Sequence, residues 1–102
     1  CFTIAELMQY EAIGLCAPGR GMQALEEGWV MPGGRLPVNL SGGLKAKGHP
    51  VGATGVSMHV MAAWQLLGRW RSAPLPRARL AAILNMGGAG VSNYGSVLER
   101  VR

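Results

Sequence analysis

Asn39-Leu-Ser-Gly-Gly-Leu-Lys-Ala-Lys-Gly-His-Pro-Val-Gly-Ala-Thr-Gly55 is the stretch on which the fold turns. It frames His49 with Gly48 and Pro50 and follows it with Gly52 and Gly55, residues that let backbone and ligand approach closely. The chain has two histidines and two cysteines in 102 residues, so a ring placed this way stands out. The run opens into residues 53–67, which carry no charge and no clear polar face over about four helical turns. A helix that is apolar nearly all round is expected to be buried on all sides. Gly55, Ser57, Ala62 and Ala63 would let neighbouring backbones come near, and about one hundred residues cannot easily wrap such a helix.

On the N-terminal side, Thr3-Ile-Ala-Glu6 fits a capping box, with Thr3 as cap, Glu6 reaching back, and Phe2 and Leu7 as a hydrophobic staple. The spacing predicts a helix from Ile4 to Ile13, stopped by Gly14. Residues 17–37 are dense in glycine and proline, which predicts a loop with one helical turn over residues 22–27. Residues 36–39 read as a short strand, restricted by Pro37 to a strand start or an edge. On the C-terminal side, residues 78–84 and 91–98 read as strands flanking the Gly87-Gly88-Ala89-Gly90 turn, which forms a hairpin or presents backbone N–H groups.

Composition narrows the function classes. The net charge of +5 comes from basic residues scattered without aromatic interleaving or a known module, so no nucleic-acid partner is expected. No apolar run reaches the ~20 residues of a membrane-spanning helix. Cys1 and Cys16 match no zinc spacing, and no metal site is expected. No secretory signal precedes them, so reduced thiols in a cytoplasmic compartment are the expectation. A chain opening on Cys1 is read as part of a longer polypeptide.

A Gly-His-Pro tripeptide at the mouth of an apolar helix has a chemical reading. Imidazole and backbone donors converge near the positive end of the helix dipole, where a developing oxyanion is stabilised. His49 is an oxyanion donor or an orienting base on this reading. Cys1 precedes a helix N-terminus, which stabilises a thiolate and suits a thiol to proton transfer near neutral pH.

Asn39-x-Ser-Gly-Gly followed by Gly-His-Pro-x-Gly-Ala-Thr-Gly55 resembles the signature of the thiolase family, whose Gly-His-Pro histidine lies in the active site. Cys1-Phe2, followed by a helix with Tyr10-Glu-Ala-Ile-Gly-Leu15, resembles the segment after His-Asp in the His-Asp-Cys-Phe motif of the sterol-carrier-protein-2 type. The usual Cys-x-Gly near the C-terminus is replaced by Asn85-Met86-Gly87, as occurs in that subfamily. The subfamily often has His before that Asn, whereas this chain has Leu84. The similarity spans essentially the whole chain and corresponds to the C-terminal part of a thiolase C-terminal domain.

The resemblance implies a five-layer αβαβα fold of the α/β class, of which residues 1–102 would supply only the C-terminal part. It implies an acyltransferase that cleaves or condenses 3-ketoacyl-CoA and acetyl-CoA through an acyl-cysteine. Cys1, His49, Asn85 and Gly87 would be catalytic. Cys1 would be the acid/base at the Cα of acetyl-CoA, and the Gly87 N–H would serve a second oxyanion hole. Ser41, Gly42, Gly43 and Gly48 would bind substrate. No cofactor is held permanently, and coenzyme A is a substrate. The expected partners are acyl-CoA, an N-terminal thiolase domain bearing the nucleophilic cysteine, and further copies in a homo-oligomer such as a dimer.

The resemblance implies fatty acid β-oxidation, and a bacterial cytoplasm is the expected compartment, since the terminus lacks a Ser-Lys-Leu address. Leu84 leaves room for an aldol-type lyase on a steroid or branched acyl-CoA, to which Tyr94 would contribute if it did not simply pack. A β-ketoacyl synthase shares the Gly-His loop, but Pro50 is more thiolase-like. A non-catalytic lipid-binding or scaffolding relative is the third alternative. Cys16 and His59 are expected in the core, Lys45 and Lys47 as solvated loop lysines, and Glu11 as a bridge to a loop or a solvated group.

Overall fold

Glycine stops in the sequence become the ends of three helices. In the computed structural model, which describes residues 2–45 and 47–101, the order is α1 (Thr3–Ala12), α2 (Gln23–Glu26), α3 (Thr54–Leu66), β1 (Leu80–Gly87), a 3-10 turn (Gly88–Gly90) and β2 (Ser92–Glu99). Gly14 has φ 76°. Its N–H donates to Glu11 O at 2.9 Å, and the Leu15 N–H reaches back to Tyr10 O at 2.9 Å. This is the Schellman arrangement, in which a left-handed residue after the cap satisfies the last carbonyls. Gly28 after α2 and Gly68 after α3 repeat it with the same bond pattern.

The chain forms two compact units, Cys1–Lys47 and Gly48–Arg102. In the first, Tyr10, Cys16, Ala24 and Val30 make the core, lined by Leu7, Leu15, Leu25, Trp29 and Val38. The Glu11 carboxylate accepts the N–H groups of Gly19 and Gly21 at 2.9 and 2.8 Å, which ties the following loop to α1. Those two donors hold the Glu11 carboxyl below its ordinary pKa.

The start of α1 differs from its capping-box reading. Phe2 occupies the cap position with φ 66° and is 66% exposed, so no staple to Leu7 forms, and no side chain caps the helix. Glu6 turns instead to accept the hydroxyl of Tyr10, one turn ahead, and the side-chain N–H of Asn39 at 3.1 Å. A buried phenol must donate somewhere, and a carboxylate at i−4 is in reach, so the core outcompetes the exposed cap. Residues 36–39 likewise form no strand. Leu36 and Val38 donate back to Trp29 O and Val30 O at 2.8 and 3.0 Å, and Pro37 between them has no N–H to extend a ladder.

In the second unit, β1 and β2 pair antiparallel from Leu80↔Glu99 to Gly87↔Ser92, so the glycine-rich turn is a hairpin. Pairing carries β1 three residues beyond its expected end, through Asn85, Met86 and Gly87. Helix α3 packs on this ribbon, with Thr54, Ala62 and Leu66 buried. Full burial of Leu66 and of Ile83 on β1 each stabilises by about 1.5–3 kcal/mol. Among the described residues α3 is not enclosed on all sides: Val56, Val60 and Trp64 are 65%, 40% and 44% exposed. A ribbon of two strands spaced about 4.8 Å apart covers one face of a helix about 10 Å across and no more.

Candidate active site

The Gly-His-Pro loop is built onto the first turn of α3. Pro50 O accepts the N–H groups of Ala53 and Thr54 at 3.0 and 3.1 Å, which closes the turn that starts the helix. Gly48 and Gly52 flank it with φ 89° and 83°, conformations that favour glycine, so the loop bends sharply on both sides of His49. His49 is exposed, and its Nδ1 lies 2.8 Å from Thr54 Oγ1. Thr54 itself is buried, 4% exposed, and its Oγ1 stands 3.3 Å from Pro50 O.

Asn85 approaches the same turn from β1. A methyl group added at Gly55 would lie 2.6 Å from Asn85 Nδ2, so the amide rests directly on the glycine that follows Thr54. The structure thus brings His49 and Asn85 to adjacent residues of α3, one by a hydrogen bond and the other by packing. Gly87 closes β1 opposite Ser92 in extended conformation, with φ −125° and ψ 153°. Tyr94 pairs with Asn85 in register but is 72% exposed, so it does not pack as a strand tyrosine was expected to. Leu84 is 42% exposed.

His59 behaves as a structural histidine. Its Nδ1 donates to Gly55 O at 2.7 Å, since a carbonyl only accepts, which leaves Nε2 to take the Ser96 hydroxyl at 3.0 Å. Helix and ribbon are thereby joined through one ring.

The predicted substrate-binding residues divide between the units. Gly48 belongs to Gly48–Arg102, while Ser41, Gly42 and Gly43 belong to Cys1–Lys47. There the Gly42 N–H closes a turn onto Asn39 O at 2.8 Å, and Asn39, with φ 49°, is anchored to Glu6. Cys1 lies outside the described residues. Cys16 is a buried core thiol, and Lys45 and Lys47 are exposed. Among the described residues no cluster of three His, Cys, Asp or Glu side chains stands ready for a metal, and no helix is long and apolar enough to cross a membrane.

Two roles escaped the sequence reading, those of Thr54 and Glu6. Thr54 stands five positions after His49, and a lone hydroxyl at a helix start was the available signal. Glu6 holds the entry to the signature loop, a contact across 33 positions that no local pattern foretells.

Comparison with known proteins places nearly the whole chain in one family. Residues 1–100 match the family described as thiolase C-terminal domain-like. The chain is 43% identical over 90 residues to sterol carrier protein 2 from Bos taurus, covering 88% of this chain and 17% of that protein. It is 40% identical over 90 residues to an acetyl-CoA acetyltransferase from Methanothermobacter thermautotrophicus, covering 88% of this chain and 24% of the relative. A benzoylsuccinyl-CoA thiolase subunit from Thauera aromatica is 35% identical over 89 residues, covering 84% of this chain and 23% of its own. The chain therefore spans a quarter or less of the length of these relatives.

Proposed function

Because this chain belongs to the thiolase C-terminal domain-like family, on the side of its sterol-carrier-protein-2 type, we propose that it supplies the proton-transfer and oxyanion half of an acyl-CoA acyltransferase. The observation that carries this reading is the convergence of His49 and Asn85 on the first turn of α3. Donors fixed by a helix start and a strand suit a charge that develops on a thioester or keto oxygen, since they need no reorganisation when it forms.

In the proposed cleavage, a cysteine thiolate from an N-terminal thiolase domain attacks the 3-keto carbon of a 3-ketoacyl-CoA. The bond to the adjacent Cα breaks, and its electron pair forms the enolate of acetyl-CoA. Cys1 gives that carbon a proton, and coenzyme A then takes the acyl group from the cysteine. His49 donates to an oxygen that carries the transient negative charge, and the Gly87 N–H serves the second such oxygen. Condensation runs the same steps in reverse, with Cys1 taking the proton. Ser41, Gly42, Gly43 and Gly48 are proposed as substrate-binding residues, each within its own unit, the proposed assembly is a homo-oligomer, and the proposed compartment is the cytoplasm.

Leu84, at the position where the subfamily often carries His, favours one second reading: an aldol-type lyase on a steroid or branched acyl-CoA, which needs no acyl-cysteine.

The test uses the chain joined to its N-terminal thiolase domain and thiolysis of acetoacetyl-CoA. His49→Ala is expected to lower kcat by about 10²–10³, the range for losing one oxyanion donor, and Cys1→Ala by about 10²–10⁴, the range for losing a general acid/base. Full turnover in both variants would leave this chain a non-catalytic lipid-binding or scaffolding part of the joined protein. Trapped acyl-cysteine on brief mixing with acetyl-CoA separates a thiolase from the lyase.

A further inference from the structure

We infer that Thr54 is a positioning residue that fixes the tautomer of His49, keeping the ring proton on Nε2; the inference deepens the proposed role of His49 and rests on that reading. A neutral imidazole carries one N–H, so it donates from Nε2 only when Nδ1 is an acceptor. The partner of Nδ1 therefore decides whether His49 is an oxyanion donor or a base.

That partner is the Thr54 hydroxyl, which has a single proton and two acceptors in reach. Pro50 O stands 3.3 Å away, beyond the usual O–H···O range of about 2.5–3.0 Å. Its two lone pairs already serve the N–H groups of Ala53 and Thr54 at 3.0 and 3.1 Å. His49 Nδ1 stands at 2.8 Å, an ordinary hydrogen-bond distance. The proton of this buried hydroxyl therefore goes to Nδ1, because a buried donor without an acceptor is costly. Nε2 is left with the hydrogen.

Helix geometry makes the arrangement self-consistent. The same two backbone bonds that start α3 saturate Pro50 O and so redirect the threonine proton to the ring. His59, five residues after Thr54, shows the opposite case: the Gly55 carbonyl at Nδ1 forces the proton there. The two histidines of the chain are thus held in opposite tautomers by opposite partners.

Long-range nitrogen–proton NMR correlation on the nitrogen-15-labelled chain reads the tautomer directly, at a pH where both rings are neutral. The wild type is expected to show His49 protonated at Nε2 and His59 at Nδ1. Thr54→Val should move His49 towards Nδ1 protonation, and Thr54→Ser should restore the wild-type pattern. A wild-type His49 protonated at Nδ1 overturns the inference even if Thr54→Val does not fold, as does a folded Thr54→Val chain with an unchanged tautomer.

In the chain joined to its N-terminal domain, Thr54→Val should lower kcat at least about tenfold with little change in KM, and Thr54→Ser should recover it. Unchanged kcat in a variant whose tautomer has shifted would spare the tautomer assignment and sink the proposed role of His49 as donor.

Discussion

At the scale of single residues, Gly55 offers a clean separation of stability from function. Alanine here would place its methyl group 2.6 Å from Asn85 Nδ2, the mobile end of a side chain and not backbone, so the amide swings aside. Removing glycine from a helix gains up to about 1 kcal/mol. Gly55→Ala is therefore expected to keep or slightly raise the melting temperature of the chain while lowering thiolysis in the assembled enzyme about tenfold or more. A variant with full activity would show that the resting place of Asn85 does not matter.

Glu11 gives a pH dependence at the same scale. Its carboxyl is held below the ordinary value of 4.5 by the N–H groups of Gly19 and Gly21. A group whose pKa is depressed in the folded state contributes stability above its unfolded pKa and loses it as pH falls through the folded one. Denaturant midpoints should thus decline below about pH 4.5, and the Glu11→Gln chain should decline less steeply. Parallel acid limbs in the two chains would rule this contribution out.

Elements show where sequence reading succeeds and where it stops. The stop at Gly14, the turn at residues 22–27, the helix at 53–67 and a glycine-rich turn at residues 87–90 were legible, because each rests on contacts within a few residues, whereas only the pairing of β1 with β2 decided that this turn is a hairpin. The capping box at Thr3 and the strand at 36–39 were not, because distant partners decided them: Tyr10 and Asn39 claim Glu6, and Trp29 and Val30 claim the backbone of Leu36 and Val38. Of the site, the Gly-His-Pro loop and Asn85 were legible as motifs, whereas Thr54 and Glu6 emerged only with their hydrogen bonds.

The packing of the 17–21 loop on α1 is testable at this scale. A methyl group at Gly21 would stand 2.5 Å from Leu7 O and 3.0 Å from Glu11 Oε1, and the first of these is backbone that cannot rotate away. Gly21→Ala is expected to destabilise the chain by about 1–3 kcal/mol, the range for overpacking, seen as a lower urea midpoint. Unchanged stability would mean that the loop does not rest on α1.

For the whole molecule, the open face of α3 and the chemistry of the site point the same way. Val56, Val60 and Trp64 form an exposed apolar stripe on the helix whose first turn His49 and Asn85 touch, at Thr54 and Gly55. Acyl transfer also needs a thiolate that becomes acylated. Cys16 is buried in the core of Cys1–Lys47, where no acyl-CoA reaches it, and the proposed function uses Cys1 for proton transfer. On the proposed function, oxyanion donors without a nucleophile stabilise an intermediate that never forms. The isolated 102-residue chain is therefore expected to show no thiolysis of acetoacetyl-CoA above the uncatalysed rate, followed by loss of the enolate absorbance. Adding the N-terminal thiolase domain should restore turnover that depends on His49. Thiolysis by the chain alone would place a competent nucleophile within these residues and reassign Cys1 from proton transfer to acyl transfer.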